Sequence, residues 1–180
     1  METLEQAKRN VADLHWLATL ITGCRETATE VTFQALNPAD DAGPFFSTWM
    51  HAWSRRNVIA RALAAVREEL ARSARWTALE RAENCEFPPQ SWTLEQVTTK
   101  SDLERALLPI AAFPRAAVLL LVFERVPLDD AATLLNSEPD LVRKAMAAGA
   151  RELTINLARM QGWQSLVSGS DTNCEEHHAR

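Results

Sequence analysis

The feature that most constrains the fold is a pair of helical segments separated by a four-residue turn near the C-terminus. The shorter segment ends at Leu135, the longer one runs from Asp140 to Met160, and Asn136-Ser137-Glu138-Pro139 lies between them. Asn tolerates the left-handed conformation that ends a helix, and Ser137 can accept a hydrogen bond from the first free amides of the next helix. Pro is tolerated in a first helical turn. Two helices joined by so short a turn splay apart, so the pattern predicts a helix-turn-helix.

The second of these helices carries cationic side chains that suit DNA. A helix-turn-helix places its second helix in the major groove, where Arg can donate two parallel hydrogen bonds to a guanine edge and Lys can neutralise a phosphate. Ser137, at the entrance of the helix, can bond to a phosphate. Alternatively, the cations form a solvated face that is balanced by Asp140 and Glu152. The predicted DNA contacts of this helix are Arg143, Lys144 and Arg151.

Composition predicts a helical protein whose nucleic-acid affinity is local. Ala, Leu, Arg and Glu dominate while glycine is scarce, which favours helices. The 19 basic and 24 acidic residues give a net charge of −5. This balance argues against broad, non-specific nucleic-acid binding. Any DNA contact must therefore come from a local patch or depend on a second protein.

We predict an all-α fold of two small helical bundles joined by a linker. The first block, residues 1–84, has helices at about Leu4–Thr22, Arg25–Leu36 and from Phe46 towards Ala82, with a loop at Asn37–Pro44. The linker is residues 85–100. The second block, residues 101–164, has four helices at about 101–111, 114–125, 127–135 and 139–161, the last two forming the helix-turn-helix. Ser101 and Glu104 have the spacing of a capping box. Residues 165–180 form a polar tail that we expect to be disordered.

Two stretches of the first block bear on its packing and its ligands. The first helix is predicted from apolar residues that follow a helical period, namely Leu4, Ala7, Val11, Leu14, Leu17 and Ile21. The long helix is locally positive, with Arg55, Arg56, Arg61, Arg67, Arg72 and Arg75. Trp49 and Trp53 share one of its faces. Arginines beside aromatics suit single-stranded DNA, although for the two tryptophans we favour a place in the core.

Several classes of protein are disfavoured by what the sequence lacks. Cys24, Cys85 and Cys174 are odd in number and far apart, which predicts neither a disulfide framework nor a metal site. No Gly-rich phosphate loop or paired carboxylates are visible, so we expect no enzyme, cofactor or small-molecule substrate. No signal peptide is apparent, and the longest apolar stretch, Ala116–Phe123, is too short to span a bilayer. We therefore expect a cytoplasmic protein without membrane insertion.

Three stretches of the second block form a recognisable pattern. Arg115-Ala116-Ala117-Val118-Leu119-Leu120-Leu121 is an apolar segment led by arginine, Asp129-Asp130-Ala131-Ala132-Thr133-Leu134-Leu135 is a segment led by two acids, and Leu141-Val142-Arg143-Lys144 lies near the start of the last helix. Together they resemble region 4 of the extracytoplasmic-function group of bacterial RNA polymerase sigma factors, which has an Arg-led apolar helix, a Glu-Glu-Ile-Ala-x-x-Leu helix and Thr-Val-Lys-Ser in its recognition helix. The last match adds Leu141 to the implied DNA contacts. Arg125 replaces a usual turn glycine.

The first block resembles region 2 of the same family more loosely. Leu17-Ala18-Thr19-Leu20-Ile21-Thr22-Gly23 is similar to the family's first helix and its Thr-Gly ending, and Ala28-Thr29-Glu30-Val31 falls at its Ala-Glu-Asp-Leu. Trp49-Met50 and Arg56-Asn57 resemble its Trp-Leu…Arg-Asn pattern. Phe33 stands where Gln is usual. The resemblance implies a polymerase-binding surface at Glu30, Phe33 and Gln34, and single-stranded DNA contacts at Arg55, Arg56, Asn57 and Arg61.

The resemblance implies a sigma factor that directs core RNA polymerase to specific promoters. The first block would dock on the polymerase and help melt the minus-ten element, and the second would read the minus-thirty-five element. The family also implies a sequestering anti-sigma partner. Two alternatives stay open: a DNA-binding regulator that kept the fold but lost polymerase docking, and a helical protein–protein adaptor whose helix-turn-helix is only a scaffold.

Overall fold

The computed structural model describes residues 2–36, 47–79 and 98–162, and within these ranges the chain is all-helical, without strands. The predicted all-α class is therefore confirmed for these residues. The predicted loop Asn37–Pro44, most of the linker and the tail lie outside them. The helices are α1 (Glu2–Thr22), α2 (Arg25–Leu36), α3 (Ser47–Ala65), α4 (Arg67–Leu79), α5 (Lys100–Leu107), α6 (Ala112–Val118), α7 (Leu128–Leu135) and α8 (Pro139–Met160).

Three helix boundaries follow from single residues that the sequence marks. Gly23, at φ +72°, ends α1. Asn136, at φ +48°, ends α7 in the left-handed conformation, and Pro139 occupies the first turn of α8. These conformations cost little for Gly and Asn, and the amide that Pro lacks is not needed in a first turn. All three predicted boundaries are confirmed.

Two other local predictions were wrong. The long helix of the first block is divided at Val66, with α3 on one side and α4 on the other. The backbone hydrogen bonds Val66 N to Ala62 O (3.3 Å) and Leu70 N to Val66 O (2.9 Å) persist across this point. Beyond it, α4 packs against α6 and α8 of the second block, a contact that helical periodicity does not reveal.

The capping box of α5 begins two residues earlier than predicted. Thr99, not Ser101, is the N-cap, and its hydroxyl accepts from the amide of Asp102 at 3.2 Å. The Asp102 carboxylate accepts from the Thr99 amide in return. The Thr99 hydroxyl also donates to the Asp102 carboxylate at 2.7 Å, and the bonds that this carboxylate accepts from the Thr99 side chain and backbone hold the pKa of Asp102 below its usual value. The cap therefore stabilises α5 above the usual pKa of Asp, and this stabilisation is lost as the pH falls through the lowered value.

One continuous cluster of buried residues runs through both blocks. In the first block, α1, α2 and α3 pack together, and in the second, α6 packs along α8. α4 lies on α6, α1 also reaches α6, and α3 reaches α7, so the described parts of the two blocks share a core. Its largest fully buried side chains are Leu14, Leu20, Ile21, Val58, Leu107, Ile110, Phe113, Val118, Leu119, Leu120 and Val142.

Arg115 joins the blocks from inside this core. It is only 6% exposed, and its guanidinium donates to the carbonyls of Leu108 and Ile110 at 2.9 Å each and to that of Ile21 at 3.5 Å. Burial lowers the pKa of Arg115 from its ordinary value. Ile21 lies in the last turn of α1, so the cation binds carbonyls that the end of a helix leaves unpaired. A Cβ on the adjacent Gly23 would lie 3.0 Å from Nη2 of Arg115.

Ion pairs at the surface also cross between the blocks. Arg25 of α2 binds Glu104 of α5 at 2.8 Å, and Arg55 of α3 binds Glu124, which follows α6, at 2.5 Å. Lys100 pairs with Asp13 of α1, and its ammonium lies 5.3 Å from the centre of the Trp16 ring. An exposed pair contributes little by itself, but the partly buried Arg55–Glu124 pair adds a directional contact to the shared core.

The connection between α6 and α7 contains a strained residue. α6 continues into a π-helical turn over Leu119–Phe123, and Arg125 then adopts φ +53°. This left-handed conformation costs a non-glycine residue roughly 1–2 kcal/mol. The position is the one at which the resemblance expects a glycine.

Arg125→Gly is expected to stabilise the protein by about 0.5 kcal/mol. The relief of the left-handed strain exceeds the larger conformational entropy that glycine gains in the unfolded chain. Thermal unfolding followed by circular dichroism should show a midpoint about 1–2 °C higher. As a control, Arg159→Gly in the last turn of α8 should lower the midpoint, because glycine is a poor helix former and relieves no left-handed strain at this position. A lower midpoint for Arg125→Gly would contradict the inference that the backbone at Arg125 is strained.

Candidate nucleic-acid interface

The α7–turn–α8 segment has the local geometry of two helices joined by a tight left-handed turn. The amide of Asn136 donates to Thr133 O at 3.2 Å, and the amide of Ser137 donates to Ala132 O at 3.0 Å. These bonds close the last turn of α7 and redirect the chain. Leu135 and Val142, on either side of the turn, are buried in the shared core. The start of α8 is therefore held at a defined angle to α7.

Ser137 does not cap α8 as predicted. The N-cap is Glu138, whose side chain makes no capping hydrogen bond within the described part of the chain. Ser137 lies one residue earlier, is partly buried, and lines a groove of about 440 Å³ between the turn and the α3–α4 pair. Since Glu138 sits at the positive end of the helix dipole, its charge stabilises the start of α8 instead.

Arg143 and Lys144 lie at the surface of α8. Arg143 donates to Asp140 at 2.5 Å, and both side chains of this pair are largely exposed. An exposed pair of this kind is worth well under about 1 kcal/mol, so a phosphate or a base edge can replace the Asp140 carboxylate. The Lys144 ammonium donates to the carbonyl of Ala78 at 3.3 Å, at the C-terminal end of α4. Two of the predicted contacts are thus accessible.

The other predicted residues of α8 are less accessible. Leu141 is partly buried and packs against the core, and Arg151 is partly buried two turns beyond Arg143. The Nε atom of Arg151 is enclosed by protein. The cationic face of α8 is therefore concentrated in its N-terminal third.

Arg55 has a structural partner rather than the open position that DNA contact requires. Its Nε and Nη2 donate to the two carboxylate oxygens of Glu124 at 2.6 and 2.5 Å. The Glu124 side chain is only 8% exposed, and its hydrogen bonds raise the pKa of Arg55. A bidentate pair of this geometry holds both groups in place, so Arg55 is less available to DNA than a free arginine would be, and its contact with DNA stays a prediction. The neighbouring Arg56 is exposed.

Residues predicted for DNA and residues predicted for polymerase form one polar network on α2 and α3. Arg61 donates from Nε to Asn57 and from Nη1 to Gln34, both at 3.1 Å. Gln34 in turn donates to Glu30 at 3.0 Å. Glu30, Gln34 and Arg61 line a shallow pocket of about 330 Å³. The two predicted surfaces therefore meet at Arg61.

Phe33 lies on a different side of α2 and is 69% exposed. It borders an apolar groove of about 670 Å³ between α1 and α2. Val11 also lines this groove, and Val11 and Leu4, the first members of the apolar period of α1, are both exposed. Trp53, which we placed in the core, is 53% exposed. The side chain of Trp49 lies outside the described residues.

The sequence did not indicate that α4 lies beside the turn between α7 and α8. Arg67, Leu70, Ala71 and Ala74 of α4 face residues 133–137 across the 440 Å³ groove. In the sequence, the arginines of α4 belong to one long positive helix. Their position near the α7–α8 turn follows from the packing of α4 on the second block.

Neither a metal centre nor a membrane span is found in the described ranges. These residues contain no group of three or more His, Cys, Asp or Glu side chains that could hold a metal ion. None of their helices is long and apolar enough to cross a membrane. Cys174 and the histidines that follow it lie outside these ranges.

No protein-family model, no curated protein and no solved structure matches this chain.

Proposed function

We propose that the protein is a sigma factor of the extracytoplasmic-function type, a subunit that directs core RNA polymerase to specific promoters. The observation that carries the proposal is the exposure of Arg143 and Lys144 on the first turns of α8, directly after the left-handed turn at Asn136. In a helix-turn-helix, this part of the second helix contacts base edges. RNA polymerase is inferred as the partner from the sequence resemblance, and the order of the helices is compatible with this inference.

In this proposal the two blocks are separate functional units joined by the linker, the second being a four-helix domain with a helix-turn-helix. The second block reads the minus-thirty-five element through α8. The first block contacts the minus-ten element through Arg56, Asn57 and Arg61, and it docks on polymerase through Glu30, Phe33 and Gln34, which are all exposed on α2. The protein works in the cytoplasm, can be sequestered by an anti-sigma partner, and is not an enzyme.

Tethering by polymerase explains how a chain with a net negative charge could select promoters. With a net charge of −5, the free protein has little general attraction for DNA. Once polymerase holds one block, the other reaches its promoter element at a high effective concentration. Weak contacts by Arg143 and Lys144 are then sufficient for promoter choice.

The proposal is tested by transcription from a bacterial promoter library with purified core polymerase. The wild-type protein should co-purify with core enzyme and start transcription at a defined set of promoters. Arg143→Ala/Lys144→Ala should reduce promoter-duplex affinity about 30- to 1000-fold, because each of the two lost contacts to a base or phosphate is worth roughly 1–2 kcal/mol. Arg159→Ala, in the last turn of α8, is the matched control and should leave affinity nearly unchanged. Failure to bind core polymerase would refute the sigma assignment.

A DNA-binding regulator without polymerase docking is the second candidate. The specific observation in its favour is the shared core, with Arg115 and the Arg55–Glu124 pair linking the blocks. A regulator can act as one rigid body, and Gln34 is already engaged by Arg61. Salt-dependent duplex binding without co-purification of core polymerase would select this candidate.

A further inference from the structure

Helix α4 runs beside the segment that is proposed to read DNA. Lys144 of α8 reaches the carbonyl of Ala78 at 3.3 Å, which places the last turn of α4 next to the cationic third of α8. At the other end of α4, Arg67 lines the groove opposite Asn136 and Ser137. α4 therefore borders both the turn and the start of α8.

The exposed face of α4 carries two arginines on one ridge. Arg67, Ala71 and Arg75 are spaced four residues apart and all are exposed. Residues at this spacing follow one side of a helix, and eight residues span about 12 Å. This length corresponds to roughly three to four base-pair steps along a duplex. Arg72 projects from a different side and is paired with Glu69 at 2.7 Å.

The charges around the α7–α8 turn leave room for a phosphate backbone beside α4. Glu138 and Asp140 are the acidic groups at the entrance of α8, and Asp140 is bound to Arg143. Arg67 lies across the groove from residues 133–137, which lead into this entrance, and Arg75 is exposed about two turns further along α4. A duplex that lies on Arg143 and Lys144 would thus extend its backbone towards cations of the first block.

We propose that Arg67 and Arg75 bind phosphates of the same duplex that α8 reads, so that α4 acts as a backbone clamp. The proposal rests on the proposed function in one respect, that α8 binds duplex DNA. Phosphate contacts set the position and orientation of a protein on DNA, whereas base contacts set its sequence choice. The clamp is a sequence-independent anchor that the second block would lack if α4 were not packed against it.

The test measures duplex binding by fluorescence anisotropy with a random-sequence 30-base-pair DNA over a series of salt concentrations. Arg67→Ala/Arg75→Ala should weaken binding several-fold on every sequence and reduce the slope of log affinity against log salt by about 1.8, since each phosphate contact contributes about 0.9. Arg9→Ala/Arg159→Ala removes the same charge from exposed positions on α1 and the end of α8. This control should change the slope by much less.

The possible outcomes distinguish the α4 clamp from the proposed DNA binding by α8, on which the clamp rests. If Arg143→Ala/Lys144→Ala weakens binding while Arg67→Ala/Arg75→Ala behaves like the Arg9/Arg159 control, the clamp is refuted and DNA binding by α8 is retained. If the wild-type protein binds no duplex even at low salt, the clamp is refuted, and the sigma proposal is decided separately by transcription with core polymerase. A loss of slope in the α4 variant, with an unchanged thermal midpoint, supports the clamp.

Discussion

Arg115→Ala is expected to cost about 3–5 kcal/mol of the free energy of unfolding. The variant leaves buried carbonyls of Leu108, Ile110 and Ile21 without their donor, and each buried acceptor left unpaired costs roughly 1–3 kcal/mol. It also removes the packing of a long buried side chain and opens a cavity where α1, α5 and α6 meet. The desolvation of the guanidinium, which lowers its pKa, is recovered and offsets part of this loss.

Denaturant and thermal unfolding measure the effect of Arg115→Ala. The thermal midpoint should fall by roughly 10 °C, given the size of the chain. The thermal midpoint of Arg115→Lys should lie between those of Arg115→Ala and the wild type, because an ammonium retains the charge but cannot donate to carbonyls that lie far apart. Arg105→Ala, an exposed arginine of α5, is the control and should change stability by less than about 0.5 kcal/mol. A cost below about 1 kcal/mol for Arg115→Ala would show that the blocks are not held together at this point.

Gly149→Ala is expected to destabilise the protein by about 2–3 kcal/mol, although alanine is the better helix former. A Cβ at this position would lie 2.6 Å from the carbonyl oxygen of Pro114 and 2.8 Å from a methyl group of Val118. The Pro114 oxygen belongs to the backbone of α6 and cannot turn aside, so α6 and α8 must separate. Overpacking of this kind costs more than the gain of about 1 kcal/mol in helix propensity.

Equilibrium unfolding of Gly149→Ala and of Ala147→Gly distinguishes packing from propensity. Ala147 is exposed on the same helix, so its replacement by glycine should cost only about 1 kcal/mol. If packing decides, both substitutions destabilise the protein and Gly149→Ala does so more strongly. Stabilisation by Gly149→Ala would mean that α6 and α8 do not approach as closely as described.

The predictions that held concern residues whose effect is local. Gly23, Asn136 and Pro139 were predicted to end or begin helices, and each does so. The capping box was placed at Ser101 instead of Thr99 because Ser-x-x-Glu and Thr-x-x-Asp overlap within six residues. Either pair fits the capping-box pattern, and the sequence does not show at which residue the helix begins and hence which amides lack a helical partner.

The candidate site was predicted only in part. Arg143 and Lys144 are exposed on α8, as a DNA contact requires, while the contact itself stays a prediction. Arg55 and Arg56 are neighbouring arginines that the sequence does not distinguish, but Glu124, 69 residues away, binds Arg55. The position of α4 beside α8 had no counterpart in the sequence pattern.

Amino-acid order alone therefore determined that the described ranges are helical, where several of their helices start and stop, and which residues of α8 are polar. Those properties depend on backbone hydrogen bonds and side chains within about four residues of each other. Tertiary structure alone decided the burial of Arg115, the partner of Arg55, the exposure of Phe33 and the neighbours of α8. These depend on contacts between residues many turns apart, whose free energy is set by which surfaces meet and exclude water.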